Sequence, residues 1–121
     1  NSTKGRILIA DDEEYMLDLL TELLIGSGYE VNTVSNGEEL VNRLKSENNY
    51  QLLKIDEKMP IINGIDAIKI LRKNNIASKI IISSGAIIED KEKIFTQLNI
   101  DAFLKKPYNF DDLLILINRL I

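Results

Sequence analysis

The sequence contains no cysteine and no histidine. Without cysteine there is no disulfide, no thiolate metal site and no cysteine nucleophile. Without histidine the chain cannot be a phosphohistidine donor, a serine–histidine hydrolase or a histidine-ligated metalloenzyme. No apolar run approaches the roughly 18 residues a membrane span requires, and the first residues lack a signal-peptide pattern. Nor is there a basic block. The formal net charge is -4 and the lysines are scattered, whereas phosphate-backbone binding calls for a clustered basic face. These absences fit a cytoplasmic protein with no membrane insertion and no direct nucleic-acid contact.

What remains is enough for a core. Apolar residues make up 45% of the chain and charged residues 28%, a balance that argues against disorder. A length of 121 residues suits one domain. Residues 1–5, beginning Asn1-Ser2-Thr3, read as a linker or an expression remnant, and 6–121 as the folded unit.

Two kinds of segment alternate. Short apolar runs predict buried strands over Arg6–Ala10, Tyr29–Val34, Leu52–Ile55, Lys79–Ser83 and Ala102–Leu104. Between them lie stretches with helical spacing. Glu14–Leu24 carries Met16, Leu17, Leu20, Leu23 and Leu24 on one stripe and stops at Gly26-Ser27-Gly28. Further helices are expected from Asn36 to Lys45, Gly64 to Lys73 and Glu89 to Leu98. Asn109-Phe110-Asp111-Asp112 places a cap and acids where a last helix would start. Apolar strands alternating with helices indicate an α/β fold, a parallel sheet covered on both faces, and at this length a doubly wound one. Sites in such sheets lie beyond the carboxyl ends of the strands.

Those ends carry chemistry. The first strand runs into Asp11-Asp12-Glu13-Glu14 and the third into Asp56. Two bare carboxylates at 4 Å repel by roughly 4 kcal/mol at an effective dielectric near 20, so such a cluster needs a cation or a proton. An all-oxygen set favours a hard cation such as Mg²⁺, usually held by carboxylates, water and a substrate phosphate. The plainer reading is a solvated acidic helix start, which suits Glu13 and Glu14 better than Asp11 and Asp12. The fourth strand ends in Ser83-Ser84-Gly85 and the fifth in Lys105-Lys106-Pro107. An ammonium and a hydroxyl facing a carboxylate–metal cluster form a phosphoryl cradle, although either residue alone is ordinary surface.

Taken in order, Asp11-Asp12, Asp56-Glu57-Lys58-Met59-Pro60-Ile61-Ile62-Asn63-Gly64, Ser84-Gly85 and Lys106-Pro107 resemble the receiver domain of two-component response regulators, the CheY-like family. The likeness runs from about Arg6 to Leu120. It implies a flavodoxin-like, five-stranded parallel sheet of order 2-1-3-4-5 with five helices. It also implies that Asp56 is the phosphoacceptor and that Asp12, Asp56 and the Lys58 backbone carbonyl ligate Mg²⁺, with Asp11 acting through metal-bound water. Ser84 would bind the phosphoryl group, Lys106 would pair with it, and Phe103 falls at the aromatic switch position that responds together with Ser84. The implied partners are a histidine kinase or histidine phosphotransfer protein and a downstream protein effector. A homodimer could form through the face of helix 4, strand 5 and helix 5.

Two lysines depart from the pattern. Lys54 stands in what should be a covered strand, where a buried ammonium is costly without a partner; it must snorkel to an edge or reach a carboxylate. Lys58 could lean over the site and slow hydrolysis, or be solvated. The last helix, with Leu113-Leu114-Ile115-Leu116-Ile117, is apolar on more than one side, as an interface or a boundary exposed by truncation would be. Tyr15, Met16 and Leu19 divide between core and a docking surface for the histidine-bearing partner.

A phosphohydrolase using an aspartyl-phosphate would show D-x-D, and here the second position is Lys58. Turnover of external substrates is therefore not expected, only slow self-dephosphorylation. A degenerate receiver acting purely as an interaction module would lack an acceptor, an acid or the lysine. A flavodoxin-like cofactor protein would carry a phosphate-cradling loop after the first strand, where acids stand instead. Ser83-Ser84-Gly85 with Lys106-Pro107-Tyr108-Asn109 is similar to receivers attached to hybrid sensor kinases, so the chain could be a module of a longer hybrid kinase or multidomain regulator.

Overall fold

The computed structural model describes residues 3–121; Asn1 and Ser2, part of the expected linker, lie outside the described residues. Strands and helices alternate strictly: β1 (Arg6–Ala10), α1 (Glu14–Gly26), β2 (Glu30–Val34), α2 (Gly37–Ser46), β3 (Leu52–Asp56), α3 (Gly64–Lys73), β4 (Lys79–Ser84), α4 (Lys91–Leu98), β5 (Ala102–Lys105) and α5 (Phe110–Leu120). The strands form one parallel sheet in the order β2-β1-β3-β4-β5. Order reverses between β1 and β3, so the crevice for chemistry opens above their carboxyl ends.

Alternation along each strand divides the core in two. Leu8, Ala10, Leu53, Ile55, Ile80 and Ile82 face α2 and α3, packing on Leu40, Leu44, Ile68 and Leu71. Ile7, Ile9, Leu52, Ile81 and Leu104 face α1 and α5, packing on Leu17, Leu20, Leu24, Leu113 and Ile117. In β3 this second face continues to Lys54 and Asp56.

The expected boundaries shift by one or two residues, as helix and strand ends do. Two ends move by two residues: α1 runs on to Gly26, and α4 starts at Lys91 because Asp90 takes a left-handed backbone (φ 53°). This helix has no fully buried residue. Asparagine caps three other helices: Asn36, Asn63 and Asn109 accept hydrogen bonds from the backbone N–H of Glu39, Asp66 and Asp112. In α5, Leu113 and Ile117 are buried, Leu114, Leu116 and Leu120 pack partly, and Ile115 remains 54% exposed. Of the three residues considered for docking on α1, Met16 packs against the core while Tyr15 is 73% exposed.

Candidate functional site: an acidic cluster between two lysines

The carboxyl ends of β1, β3, β4 and β5 meet at one rim. Backbone pairing continues past the strands, from Glu57 N–H to the Ser83 carbonyl (2.8 Å) and from Lys106 N–H to the Ser84 carbonyl (2.9 Å). The loop after β3 then folds back tightly, with Gly64 N–H bonded to the Glu57 carbonyl (2.8 Å). A Cβ at Gly64 would stand 2.6 Å from the Asp56 carbonyl oxygen, so only glycine lets α3 start this close to the site. A Cβ at Gly37 would likewise collide with the Ile62 carbonyl oxygen, at 2.0 Å.

Asp11, Asp12 and Asp56 each offer a carboxylate oxygen within 4.8 Å of the other two. Asp11 and Asp56 are buried and Asp12 is exposed. One Asp11 oxygen accepts the Glu13 backbone N–H at 2.9 Å. Its other oxygen, Oδ2, is buried with no hydrogen-bond partner among the described residues. A buried orphan carboxylate oxygen demands a counter-charge, and three converging carboxylates with an uncommitted oxygen suit a hard divalent cation.

Lys106 covers the cluster from β5. Its Nζ lies 2.8 Å from Asp56 Oδ1, an ionic contact off the ideal hydrogen-bond direction, and 4.0 Å from the exposed Glu13. Burial pushes the Asp56 carboxyl above its usual range, with Asp11 adding to the shift and Lys106 opposing it. Burial alone would lower Lys106, but the Asp56 contact and the other acids raise it on balance. The Lys106–Pro107 peptide is cis.

A second ammonium lies beneath. Lys54 neither snorkels nor protrudes; it is completely buried. Register explains this, because Lys54 pairs with Ile9 on one side and Ile81 on the other, at the centre of the sheet. Its Nζ donates to Ser83 Oγ at 2.9 Å, lies 3.9 Å from Asp11 Oδ2 and sits 5.1 Å from the centre of the Tyr108 ring. Burial lowers this ammonium to about 8, although Asp11 and Asp56 pull the other way. The same burial pushes the Tyr108 phenol up, reinforced by Asp11 and Asp56.

Of the residues expected from sequence, Asp11, Asp12, Asp56 and Lys106 come together. Ser84 is buried at the rim, but its hydroxyl closes on its own loop, accepting the Ala86 N–H (3.0 Å) and donating to the Ala86 carbonyl (3.3 Å). Phe103 is half-buried on the α4 side, 6.1 Å from the Phe95 ring and beneath Lys91 Nζ at 4.6 Å. The Lys58 side chain is exposed in the loop after β3. Ser83 and Tyr108 were not singled out from sequence for the role they take here. The polar Lys54 in an apolar strand was the available signal, but its partners come from the loop after β1, from β4 and from the turn before α5.

Comparison with known proteins bears on the family and the fold. The family model of the response regulator receiver domain matches residues 7–118. Two-component response regulator 24 of Arabidopsis thaliana is 34% identical over 118 residues, covering 98% of this chain and 85% of that protein. The CpxR homolog of Haemophilus influenzae is 31% identical over 97% of this chain, which spans only 50% of that regulator. Among solved structures, the receiver domain of Francisella response regulator 1452 superposes with TM-score 0.86 at 31% identity, covering 97% of this chain and 96% of that one. The response regulator TrrA of Thermotoga maritima, in complex with Mg²⁺-BeF, gives TM-score 0.84 at 33% identity, covering 97% and 99%. The chain belongs to the receiver domain family of response regulators, the phosphoacceptor modules of two-component signalling.

Proposed function

We propose that this domain, over residues 6–121, accepts a phosphoryl group on the Asp56 carboxylate in a Mg²⁺-dependent reaction. The donor would be a histidine kinase or a histidine phosphotransfer protein, and a downstream protein would read the product. The observation that carries the reading is a buried acceptor carboxylate at the switch-point rim, 2.8 Å from Lys106 and grouped with Asp11 and Asp12. The TrrA complex with Mg²⁺-BeF, in which the beryllium fluoride stands in for a phosphoryl group, supports it by likeness.

An Asp56 oxygen attacks phosphorus in line, the P–N bond to the donor imidazole breaks, and the electron pair leaves on that nitrogen. Asp12, Asp56 and the Lys58 backbone carbonyl would hold Mg²⁺ directly, with Asp11 acting through metal-bound water. The ion supplies charge neutralisation for the carboxylates and the transferring oxygens. Lys106 exchanges its Asp56 contact for a phosphoryl oxygen. Ser84 turns its hydroxyl from Ala86 toward the phosphoryl group, which alters the space beside Phe103. Because α4 has no fully buried residue, the surface of α4, β5 and α5 can repack at low cost. It is the surface we assign to effector binding or homodimer contact. The donor docks beside the rim, near exposed Tyr15. Such exchange with a kinase places the domain in the cytoplasm, as a free-standing receiver or a module of a hybrid kinase or multidomain regulator. Its only turnover is slow hydrolysis of its own acyl phosphate.

Intact mass after incubation with acetyl phosphate or phosphoramidate tests the reading. One phosphoryl adduct, absent without Mg²⁺ and absent in Asp56→Asn, is the expected result. A folded protein that takes no adduct would instead be an interaction module without phosphorylation.

A further inference from the structure

We propose that Lys54 is a resident cation of the phosphorylation site, weakening its hold on Mg²⁺ while strengthening its hold on the phosphoryl group. The proposal rests on the site assignment made above and deepens it.

The geometry is that of a built site. A fully buried ammonium sits under the acidic cluster, fixed by one group from β4 and one each from the loops after β1 and before α5. Ser83 Oγ accepts its proton at 2.9 Å, the Tyr108 ring faces it at 5.1 Å, and Asp11 Oδ2 lies 3.9 Å away. Among the described residues that Asp11 oxygen has no hydrogen-bond partner, and Lys54 is its nearest charge compensation. A lysine kept only for packing could be replaced by an apolar side chain at little cost, since burying an ammonium is unfavourable in itself. This one is instead aimed at an oxygen of the cluster that binds the metal.

Charge bookkeeping gives the direction of each effect. Asp11, Asp12 and Asp56 contribute three negative charges, and Lys54 with Lys106 returns two. Without Lys54 the empty site would be more negative and would bind a dication more tightly. Once the dication is bound, adding an anion at Asp56 brings further negative charge, which Lys54 favours. A single buried charge therefore shifts the two affinities in opposite directions, whereas general damage to the fold would weaken both.

The experiment compares the parent chain with Lys54→Met and Lys54→Ile. Mg²⁺ affinity is measured by calorimetry, and beryllium fluoride affinity at saturating Mg²⁺ by tyrosine fluorescence. The expected result is Mg²⁺ binding about tenfold tighter in the variants, and beryllium fluoride binding about tenfold weaker, in keeping with a close charge in a poorly screened setting. For a variant that folds only with Mg²⁺, beryllium fluoride affinity at saturating Mg²⁺ decides: about tenfold weaker supports the role of Lys54, and unchanged overturns it. Unchanged affinities in folded variants, or both affinities weakened together, would overturn the role of Lys54 while leaving the site assignment intact. Failure of both variants to fold at any Mg²⁺ concentration would make the Lys54 ammonium a requirement of the fold, through its bond to Ser83 and its charge beside Asp11, and would also overturn it. A parent chain that binds neither Mg²⁺ nor beryllium fluoride would overturn the site assignment itself.

Discussion

The two ends of the sheet treat charge in opposite ways. At the amino end, Arg6 reaches Glu30 (2.6 Å), Glu47 (2.9 Å) and Asn32 (3.2 Å), bonds Asn49, and stacks over the Tyr50 ring at 4.3 Å. Arg72 donates to the carbonyls of Leu98, Ile76, Ser78 and Asn99 at 2.7, 2.7, 3.0 and 2.8 Å, tying the end of α3 to the end of α4. At the carboxyl end, Asp11 keeps an orphan oxygen, Asp56 is neutralised by an off-line contact, and Lys54 is buried beneath both. Satisfied networks hold a fold together. Buried polar groups left short of partners mark the place where a ligand completes the count.

The sharpest way to break this contrast is to cut the satisfied end. Arg72→Ala strands four carbonyl acceptors and removes packing between α3 and α4. It should cost about 2–4 kcal/mol of stability by urea denaturation. Mg²⁺ affinity should stay within about twofold, because additivity holds for distant sites. A large loss of Mg²⁺ binding in this folded variant would mean that the two ends are not separate.

The next prediction sharpens the working end. Lys58 is exposed two residues past the acceptor, long enough to lean over an acyl phosphate and hinder water. Lys58→Ala should speed dephosphorylation by about three- to tenfold, read as loss of the adduct mass over time. Equal rates would return Lys58 to the solvated surface.

Strain also gathers at this end. Ile61, in the same loop, takes φ 72° although its side chain is β-branched and 70% exposed, a backbone region such residues avoid. Ile61→Asn should stabilise the fold by about 0.5–1 kcal/mol, since asparagine tolerates this region. A loss of stability would show that the exposed side chain makes contacts worth more than the strain.

The smallest effect concerns the cap of α2. Glu39 accepts from both the backbone N–H and the hydroxyl of Ser35 at 2.8 Å, and these bonds hold its carboxyl below the usual range. A lowered folded-state value means its contribution is present above the unfolded carboxylate range and is lost as pH falls through the folded value. Glu39→Gln should therefore lower the melting temperature slightly near neutral pH, with the difference fading in acid. A difference that grows in acid would reverse the assignment.

Much of this was legible in the chain because two periodicities and one ordered motif carry it. Ile7–Ile9, Leu52–Leu53 and Ile80–Ile82 announce covered strands, and the asparagines at positions 36, 63 and 109 announce helix starts. Asp11, Asp12, Asp56 and Lys106 are recoverable since each stands at or just past the carboxyl end of a strand and a parallel sheet aligns those ends. Three features were not legible. The start of α4 depends on a left-handed Asp90 that composition does not signal. The Ser84 hydroxyl turns into its own loop, a rotamer choice invisible to spacing. The cradle of Lys54 requires register, which brings Ile9 and Ile81 alongside it and sets Ser83 two residues further on. From sequence alone that lysine is only a liability.

The most direct measurement is a two-dimensional amide NMR titration of the folded chain with Mg²⁺. Saturable shifts should cluster at Asp11, Asp12, Asp56 to Met59, Ser84 to Ala86 and Lys106, leaving the surroundings of Arg6 and Arg72 unmoved. An absence of saturable shifts at the carboxyl rim, or shifts centred on the amino end, would contradict the division between a finished end of the sheet and an end built to take a cation.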